Sequence, residues 1–333
     1  MATTVVSSFS EFMKDSVNLD RDETVTARGD RNNLRSRIRS LQTSVSHFPT
    51  LYPDADIDFG SFARKTKKRP LDDVDMFFCI AAEGAYYDED YYSKEITIYT
   101  SNTNSNLYQY TNDDNQSLNS IKILNKFKRS VEGIYQYRAS ELTRNQEAVV
   151  LTLNGKDWCF DIVPCFRTAE HLGKTFYIIP NGSGGWKKAD PRIDKDRVSS
   201  INQKNNGNVL NVFRIVKYWN ARRTMHTMGS YLLENIILDY YASKTDCSKW
   251  VDMELPNLLN HISNAVYWYV ADPKGIQGDL NTLTDEQKAS IGARASFDAH
   301  RAQEARDYEN EGDHERSINR WRDIFGDEFP TYG

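Results

Sequence analysis

The sequence predicts an α/β protein of two lobes, a mixed β-sheet followed by a largely helical second lobe. Apolar, strand-like runs lie in the first half, as in VDMFFCIA at 74–81. After Pro191, apolar residues recur at helical spacing in the segments 209–223, 230–244, 255–271, 284–311 and 314–326. The 333 residues, 39% of them hydrophobic, can fill one large core or two. We therefore expect the sheet lobe at 1–190 and the helical lobe, with a C-terminal tail, at 191–333.

A long helix is expected at the start of the sheet lobe, from Asp20 to Phe48, bridging the two lobes. Its apolar positions have helical spacing: Leu34, Ile38, Leu41 and Val45. It also carries four clustered arginines: Arg28, Arg31, Arg35 and Arg37. These predict a helix with one buried side and one solvated basic side.

The middle of the sheet lobe is predicted to contain a loop, a helix and a hairpin. Asn and Ser dominate residues 101–120, which indicates an exposed loop, and an amphipathic helix is expected over 118–137. Residues 149–166, VVLTLNGKDWCFDIVPCF, predict two apolar strands joined by a two-residue turn at Asn154-Gly155. Asp161 interrupts the second strand. A carboxylate there is costly unless it is paired or binds a metal.

Composition excludes several classes of protein. The net charge of −5 argues against a protein that grips a long nucleic acid. The chain has no apolar run of the ~18 residues that span a bilayer, and its start lacks a signal-peptide pattern, so we expect no membrane partner and a cytoplasmic protein. The four cysteines and six histidines form no zinc-ligand motif.

Three aspartates are the candidate metal ligands. Asp73 and Asp75 are two residues apart, so on a strand their Cα atoms lie roughly 6.5 Å apart and both side chains leave the same face. With Asp161 from a neighbouring strand, they could hold two Mg²⁺ or Mn²⁺ ions, the arrangement that supports in-line displacement at phosphorus. Asp-x-Asp pairs also occur in ordinary surface turns.

A Gly-Ser turn precedes these aspartates. Gly60 allows close approach of a phosphate to the backbone, and the amides and hydroxyl around Ser61 can donate hydrogen bonds to it. We expect a triphosphate-binding turn beside the metal site, although Gly-Ser is also ordinary loop composition. The basic residues that follow are interpreted as a solvated loop: Lys65, Lys67, Lys68 and Arg69.

The spacing G-S-x11-D-V-D, followed by FDIVP at 160–164, resembles nucleotidyltransferases of the polymerase β type. Further segments resemble the cGAS/DncV-like nucleotidyltransferases, or CD-NTases, which are bacterial cyclic oligonucleotide synthases. These segments are WKKADP (186–191), VFRIVKYWNAR (212–222), GSYLLE (229–234) and HERSINRWRDIFGDEFP (314–330). The resemblance covers nearly the whole chain and implies a polymerase β-like catalytic lobe with an oligoadenylate synthase-like helical lobe.

The resemblance also implies a donor-nucleotide site made by Lys217, Ser230 and Tyr231. Lys217 lies on the flank of a buried helical stripe, where a cation requires an anionic partner such as a triphosphate. Ser230 stands where a helix should begin, and Tyr231 can stack on a base. The alternatives are a lysine that reaches solvent, an ordinary helix cap and a core tyrosine.

The implied activity is synthesis of a cyclic di- or trinucleotide second messenger from ATP or other NTPs, with release of pyrophosphate, during anti-phage defence. The product would act on a downstream effector. A linear oligoadenylate-type synthase, another template-independent nucleotidyltransferase and a non-catalytic nucleotide-binding module are the alternatives. Since the chain lacks a zinc insertion and a basic surface, we expect no activation by double-stranded DNA.

The end of the sequence, FPTYG at 329–333, is predicted to be a short exposed tail. By resemblance to CD-NTase systems related to ubiquitin pathways, Gly333 is a candidate for conjugation by a partner ligase. Chance alone gives a terminal glycine about one time in twenty, from 17 glycines in 333 residues.

Overall fold

The computed structural model describes residues 2–333 and contains two compact units. The sheet unit comprises Asp22–Ala63 and Leu71–Arg192. The helical unit comprises Ile193–Gly333, Arg64–Pro70 and the segment up to Arg21. The predicted fold class, a mixed sheet followed by a helical part, is confirmed.

The sheet unit is built on one sheet of nine strands within the described residues, in the order β1-β2-β7-β8-β9-β4-β3, with β6 on β7 and β5 on β6. Strands β2 and β7 are parallel and the other strand pairs are antiparallel. The strands are β1 (Ile57–Phe59), β2 (Asp73–Cys79), β3 (Tyr86–Glu89), β4 (Ile96–Tyr99), β5 (Glu141–Asn145), β6 (Ala148–Thr152), β7 (Cys159–Arg167), β8 (Tyr177–Pro180) and β9 (Trp186–Ala189).

Helices complete both units. Those of the sheet unit are α2 (Arg21–Ser44), α3 (Gly60–Ala63) and α4 (Ser120–Glu132), where α2 begins at the unit boundary. Those of the helical unit are α1 (Val5–Phe12), α5 (Pro191–Lys204), α6 (Val209–Asn220), α7 (Ser230–Ala242), α8 (Val251–Ala265), α9 (Asp285–Asn310) and α10 (His314–Phe325), where α5 begins at the other boundary.

The single boundary expected near residue 190 describes the chain incompletely. Phe9 and Phe12 of α1 pack edge-on or tilted against Trp321, Phe325 and Phe329, with ring centroids 4.9 to 6.1 Å apart. This aromatic cluster makes the start of the chain part of the helical unit. Arg64–Pro70 joins the same unit through contacts described below.

The predicted basic side of α2 is partly paired rather than solvated. Arg31 and Arg35 both bind the Asp58 carboxylate, and Arg39 binds Asp56 at 2.7 Å. Asp56 immediately precedes β1 and Asp58 lies within it, so these ion pairs fix α2 beside that strand. Sequence periodicity showed the apolar face correctly, since Leu34, Ile38 and Leu41 are buried.

Two loop predictions were only partly right. The hairpin and its turn at Asn154-Gly155 are present, and the Lys156 N–H donates to the Leu153 carbonyl at 3.2 Å. However, Thr152 of β6 pairs with Cys159 of β7, so six residues rather than two join the strands. Residues 101–120 are not uniformly exposed, because a short 3-10 helix at Asn106–Tyr110 buries Leu107 and Tyr110.

The C-terminal tail is more ordered than predicted. Phe329 is fully buried, and Tyr332 forms a parallel bridge with Ala2. Residues 331–333 are exposed, as expected. Across residues 2–333, the structure contains no helix with both the length and the apolar character needed to cross a membrane.

Candidate active site

The parallel pair β2 and β7 brings the three predicted carboxylates onto neighbouring strands. Asp75 is the register partner of Asp161, and Asp73 is the partner of Cys159. Adjacent strands lie about 4.8 Å apart and partnered side chains leave the same face, so Asp73, Asp75 and Asp161 share one face of the sheet. All three are half-buried, whereas the alternate residues Val74, Met76, Phe160 and Ile162 are buried.

Gly60 lies against the Asp75 carboxylate. Phe59, the last residue of β1, is the antiparallel register partner of Asp75. The Gly60-Ser61 turn therefore begins beside Asp75. A Cβ atom on Gly60 would lie 1.7 Å from Asp75 Oδ2, and the φ of Gly60 is +72°. Both the space and the backbone conformation therefore require glycine. Ser61 follows as the second residue of α3.

If Asp75 acts in catalysis, as the sequence predicts, Gly60→Ala should reduce turnover about 100-fold, because displacement of a catalytic group by about 1 Å has an effect of this size. The left-handed backbone should cost about 1 to 2 kcal/mol of stability, and the Asp75 carboxylate must also shift to make room for the added methyl group. Gly155→Ala is the matched control, since Gly155 has a φ of +75° and no heavy atom within 4 Å of an added Cβ. Steady-state rates and urea unfolding of both variants test this prediction. Equal rates for both would show that the contact with Asp75 is unimportant.

The electrostatic environment of Cys159 shows that acidic groups converge here. Burial raises the pKa of the Cys159 thiol to about 11, assisted by the negative charges of Asp161, Asp73, Asp72 and Asp75. Hard carboxylate oxygens are the donors that Mg²⁺ and Mn²⁺ prefer, and Gly60 keeps the space beside Asp75 free of a side chain. The donor chemistry of these residues therefore suits a divalent cation.

A preformed metal site is absent from the described residues. Within residues 2–333, no three His, Cys, Asp or Glu side chains are placed so that together they could hold a metal ion. Asp73, Asp75 and Asp161 each have an interaction within the protein. Shared ligation thus requires their side chains to turn toward a common point, and it stays a prediction.

In the helical unit, Lys217 is buried and its Nζ donates a hydrogen bond to Glu234. The same carboxylate accepts bonds from Arg64 at 2.9 Å and from the Thr66 hydroxyl at 3.0 Å. Two cations share one carboxylate, which leaves an excess of positive charge. Lys217 therefore has a protein partner, where sequence reasoning expected a phosphate.

We call Arg64, Thr66, Lys217 and Glu234 the Glu234 cluster. In this cluster, burial and the neighbouring charges shift the pKa values of Glu234 and Lys217 in opposite directions. Burial alone would raise the pKa of Glu234, but Arg64 and Lys217 hold it below its usual value. Burial lowers the pKa of Lys217, against the influence of Glu234. We conclude that Glu234 is ionised at neutral pH, because it accepts hydrogen bonds from two cationic side chains and one hydroxyl.

Ser230 and Tyr231 begin α7, as predicted. Ser230 is exposed at the first helical position, and its hydroxyl does not cap the helix. The Tyr231 hydroxyl contacts Asp194 at 2.8 Å and Asp272 at 3.1 Å. Lys274 Nζ donates to the same hydroxyl at 2.7 Å and lies 4.1 Å from the ring centroid. Tyr231 is therefore held in place by charged groups, with Lys274 beside its ring.

Sequence reasoning missed Glu234, Arg64 and Lys274. The available signal for Glu234 was a carboxylate among the apolar residues of SYLLENIIL, the situation that had identified Asp161. Arg64 immediately precedes the run interpreted as a solvated loop. That interpretation is wrong in part, because Thr66 within the run is fully buried and only Lys65 of its four basic residues is exposed.

Comparisons with known proteins identify a full-length relative and two structures of similar fold. No protein-family model matches the chain. The chain is 44% identical over 336 residues to a protein named "Probable cyclic nucleotide synthase" from Bacillus cereus strain VD146, with 100% of this chain and 99% of the relative covered. Two structures of CdnC from E. coli MS115-1, one with ATP and one in a complex with HORMA-deltaN, superpose with a TM-score of 0.69 at 14% and 15% identity. Each covers 98% of both chains.

Proposed function

Because the chain belongs to the CD-NTase family of cGAS/DncV-like nucleotidyltransferases, we propose that it makes a cyclic di- or trinucleotide from ATP or other NTPs. The observation that best supports this proposal is the face of the sheet where Asp75 and Asp161 are register partners, Asp73 is two residues away and Gly60, without a side chain, leaves room for the Asp75 carboxylate. The product would serve as a second messenger for an effector in anti-phage defence.

In the proposed reaction, a ribose hydroxyl oxygen forms a bond to the α-phosphorus of a nucleoside triphosphate. The bond from that phosphorus to the oxygen bridging to the β-phosphate breaks, and pyrophosphate leaves with the bonding electrons. A second transfer within the linear product closes the ring. Asp161 would accept the hydroxyl proton, a role supported by its half-buried position on the same face as Asp73 and Asp75.

Asp73, Asp75 and Asp161 would hold two Mg²⁺ ions, or Mn²⁺ in their place. Bound there, these ions neutralise phosphate charge and lower the pKa of the attacking hydroxyl. Gly60 and Ser61 would bind the triphosphate through backbone amides and the serine hydroxyl.

Lys217, Ser230 and Tyr231 are proposed to bind the donor nucleotide. The excess positive charge of the Glu234 cluster supports attraction of a triphosphate. The exposed Ser230 at the start of α7 offers a hydroxyl and free helix amides to an anion. Tyr231 would stack on the base, with Lys274 and the two aspartates fixing its orientation.

We expect Lys217→Ala to raise the KM for NTP by about one to two orders of magnitude, consistent with loss of one charge-assisted contact. Lys204→Ala is the comparison variant, because it removes an exposed lysine of the same unit whose Nζ donates to the Ala242 carbonyl. Initial rates over a range of NTP concentrations, under conditions where both variants stay folded, test the prediction. An unchanged KM for every NTP would mean that Lys217 only pairs with Glu234.

The proposed activity is tested by incubating the protein with each labelled NTP and Mg²⁺, followed by phosphatase treatment and mass spectrometry. A product that resists phosphatase and lacks terminal phosphates supports cyclisation. A phosphatase-sensitive chain would identify a linear synthase instead. No transfer with any NTP in the presence of Mg²⁺ or Mn²⁺ would contradict the proposal.

Conjugation of Gly333 by a ubiquitin-transferase-like ligase is proposed as a separate event. The ordering of Phe329 and Tyr332 leaves only residues 331–333 exposed to such a partner. The intact mass of protein isolated with its neighbouring gene products would reveal an adduct at Gly333.

A further inference from the structure

A second concave site lies in the sheet unit, between α2 and α4. This cavity, the basic groove, has a volume of about 760 Å³ and none of the proposed catalytic or donor residues lines it. One wall comes from α2 and includes Arg37, and the other comes from α4 and includes Lys122, Lys126 and Arg129. A cavity of this size falls within the range that holds small molecules, about 300 to 1,000 Å³.

The positive charge of the basic groove is not cancelled by its surroundings. Among its lining residues, all of which lie in the described part of the chain, none is acidic. Lys122 and Lys126 donate to the neutral backbone carbonyls of Thr111 and Ser46, each at 2.6 Å. The nearby Glu132 pairs with Lys128, which does not line the cavity. Four cations therefore face one cavity.

The rest of the lining is suited to an organic ligand with a ring. Leu41, Val45 and Ile134 supply apolar surface, and Gln109 and Asn125 supply amides. A nucleoside bearing several phosphate groups combines a ring, hydrogen-bonding groups and about four negative charges. Its polyphosphate would match the four cations through charge-assisted hydrogen bonds.

The observations favour a small ligand over a nucleic acid. A long nucleic acid requires a basic surface that extends along the protein, whereas these cations converge on one concavity in a chain with a net charge of −5. We propose that the basic groove binds a nucleotide-sized polyphosphate, at a site separate from Asp73, Asp75 and Asp161.

Such a ligand would join two elements that support the catalytic strands. Helix α4 packs on β6 and β7, and β7 carries Asp161. Helix α2 is tied to β1 by the ion pairs of Arg31 and Arg35 with Asp58. A ligand bound in the groove would therefore restrain α4 and α2, which contact β7 and β1. These are the two strands on either side of β2. This inference goes beyond the proposed synthase activity and does not depend on it.

The test uses ATP and inorganic triphosphate as probes in EDTA, so that binding through divalent metal does not contribute. Lys126→Gln/Arg129→Gln removes two groove cations. Lys128→Gln/Arg138→Gln is the matched control, because it removes two cations of the same unit that do not line the groove. Thermal unfolding of both variants verifies that they are folded.

We expect the groove variant to weaken triphosphate binding about 100-fold, from loss of two charge-assisted contacts, and the control to bind within about twofold of wild type. ATP should also slow hydrogen exchange of residues 40–45 and 122–129 in wild type. Equal affinities for the groove and control variants would overturn the proposal. The proposal would also be overturned if a 20-nucleotide oligo-dT bound in the groove and triphosphate did not displace it. That result would indicate a nucleic-acid-binding surface instead.

Discussion

Asp75→Asn is expected to abolish turnover, with a fall of about 1,000-fold or more, while the protein stays folded. Asp75 is central to the proposed site, because it is the register partner of Asp161 and lies against Gly60. Loss of one carboxylate from a metal site removes several kcal/mol of transition-state charge stabilisation, and each 1.36 kcal/mol is a factor of ten in rate. Product formation from labelled NTP, measured beside thermal unfolding, provides the test.

Asp88→Asn is the control for this prediction. Asp88 is an exposed acid in β3, which lies at the opposite end of the strand order from β1 and β2. It should leave the rate within about twofold of wild type, as is usual for surface substitutions. An Asp75→Asn protein that keeps more than a tenth of the wild-type rate would argue against a catalytic role for this carboxylate.

Glu234→Gln should lower the free energy of unfolding by about 3 to 5 kcal/mol, the usual cost of removing one partner from a buried ion pair. The substitution leaves Lys217 and Arg64 in a buried site without the carboxylate that neutralises them. Asp239→Asn is the control, because Asp239 forms an exposed ion pair with Arg197 that contributes about 1 kcal/mol or less. Urea unfolding of both variants measures the difference.

The ion pair between Glu234 and its cationic partners also predicts how the free energy of unfolding depends on pH. The pKa of Glu234 lies below its ordinary 4.5, so its contribution is complete above about pH 4.5 and is lost as pH falls further. Wild type should therefore lose more stability than Glu234→Gln on acidification through this range. If the two proteins lose stability in parallel, Glu234 is not the group responsible. A Glu234→Gln protein as stable as wild type at pH 7 would show that the cluster contributes little.

The sequence was most informative where local pattern determines geometry. Period-two alternation placed Asp73 and Asp75 on one face, and the apolar run around Asp161 predicted the neighbouring strand. Helical periodicity likewise predicted where α7 begins, at Ser230. In these cases the relevant residues are near each other in the chain, so spacing alone carries the information.

Contacts between distant segments could not be predicted in the same way. The bond from Arg64 to Glu234 joins residues 170 positions apart, and the close approach of Gly60 to Asp75 depends on the β1–β2 register. The hairpin loop differs from prediction only in its length: the Asn154-Gly155 turn forms, but strand pairing already ends at Thr152 and Cys159. The start of the chain joined the helical unit through its aromatic contacts with α10, which no local pattern shows.

The central claim is that Asp73, Asp75 and Asp161 together hold the metals used in nucleotidyl transfer. A crystal structure with Mn²⁺ and a non-hydrolysable ATP analogue, analysed by anomalous diffraction, tests this claim without relying on activity. We predict anomalous peaks at about 2.1 Å from oxygens of all three carboxylates, with the triphosphate beside Gly60 and Ser61. Mn²⁺ and triphosphate bound elsewhere, with these carboxylates contacting only protein groups, would contradict it.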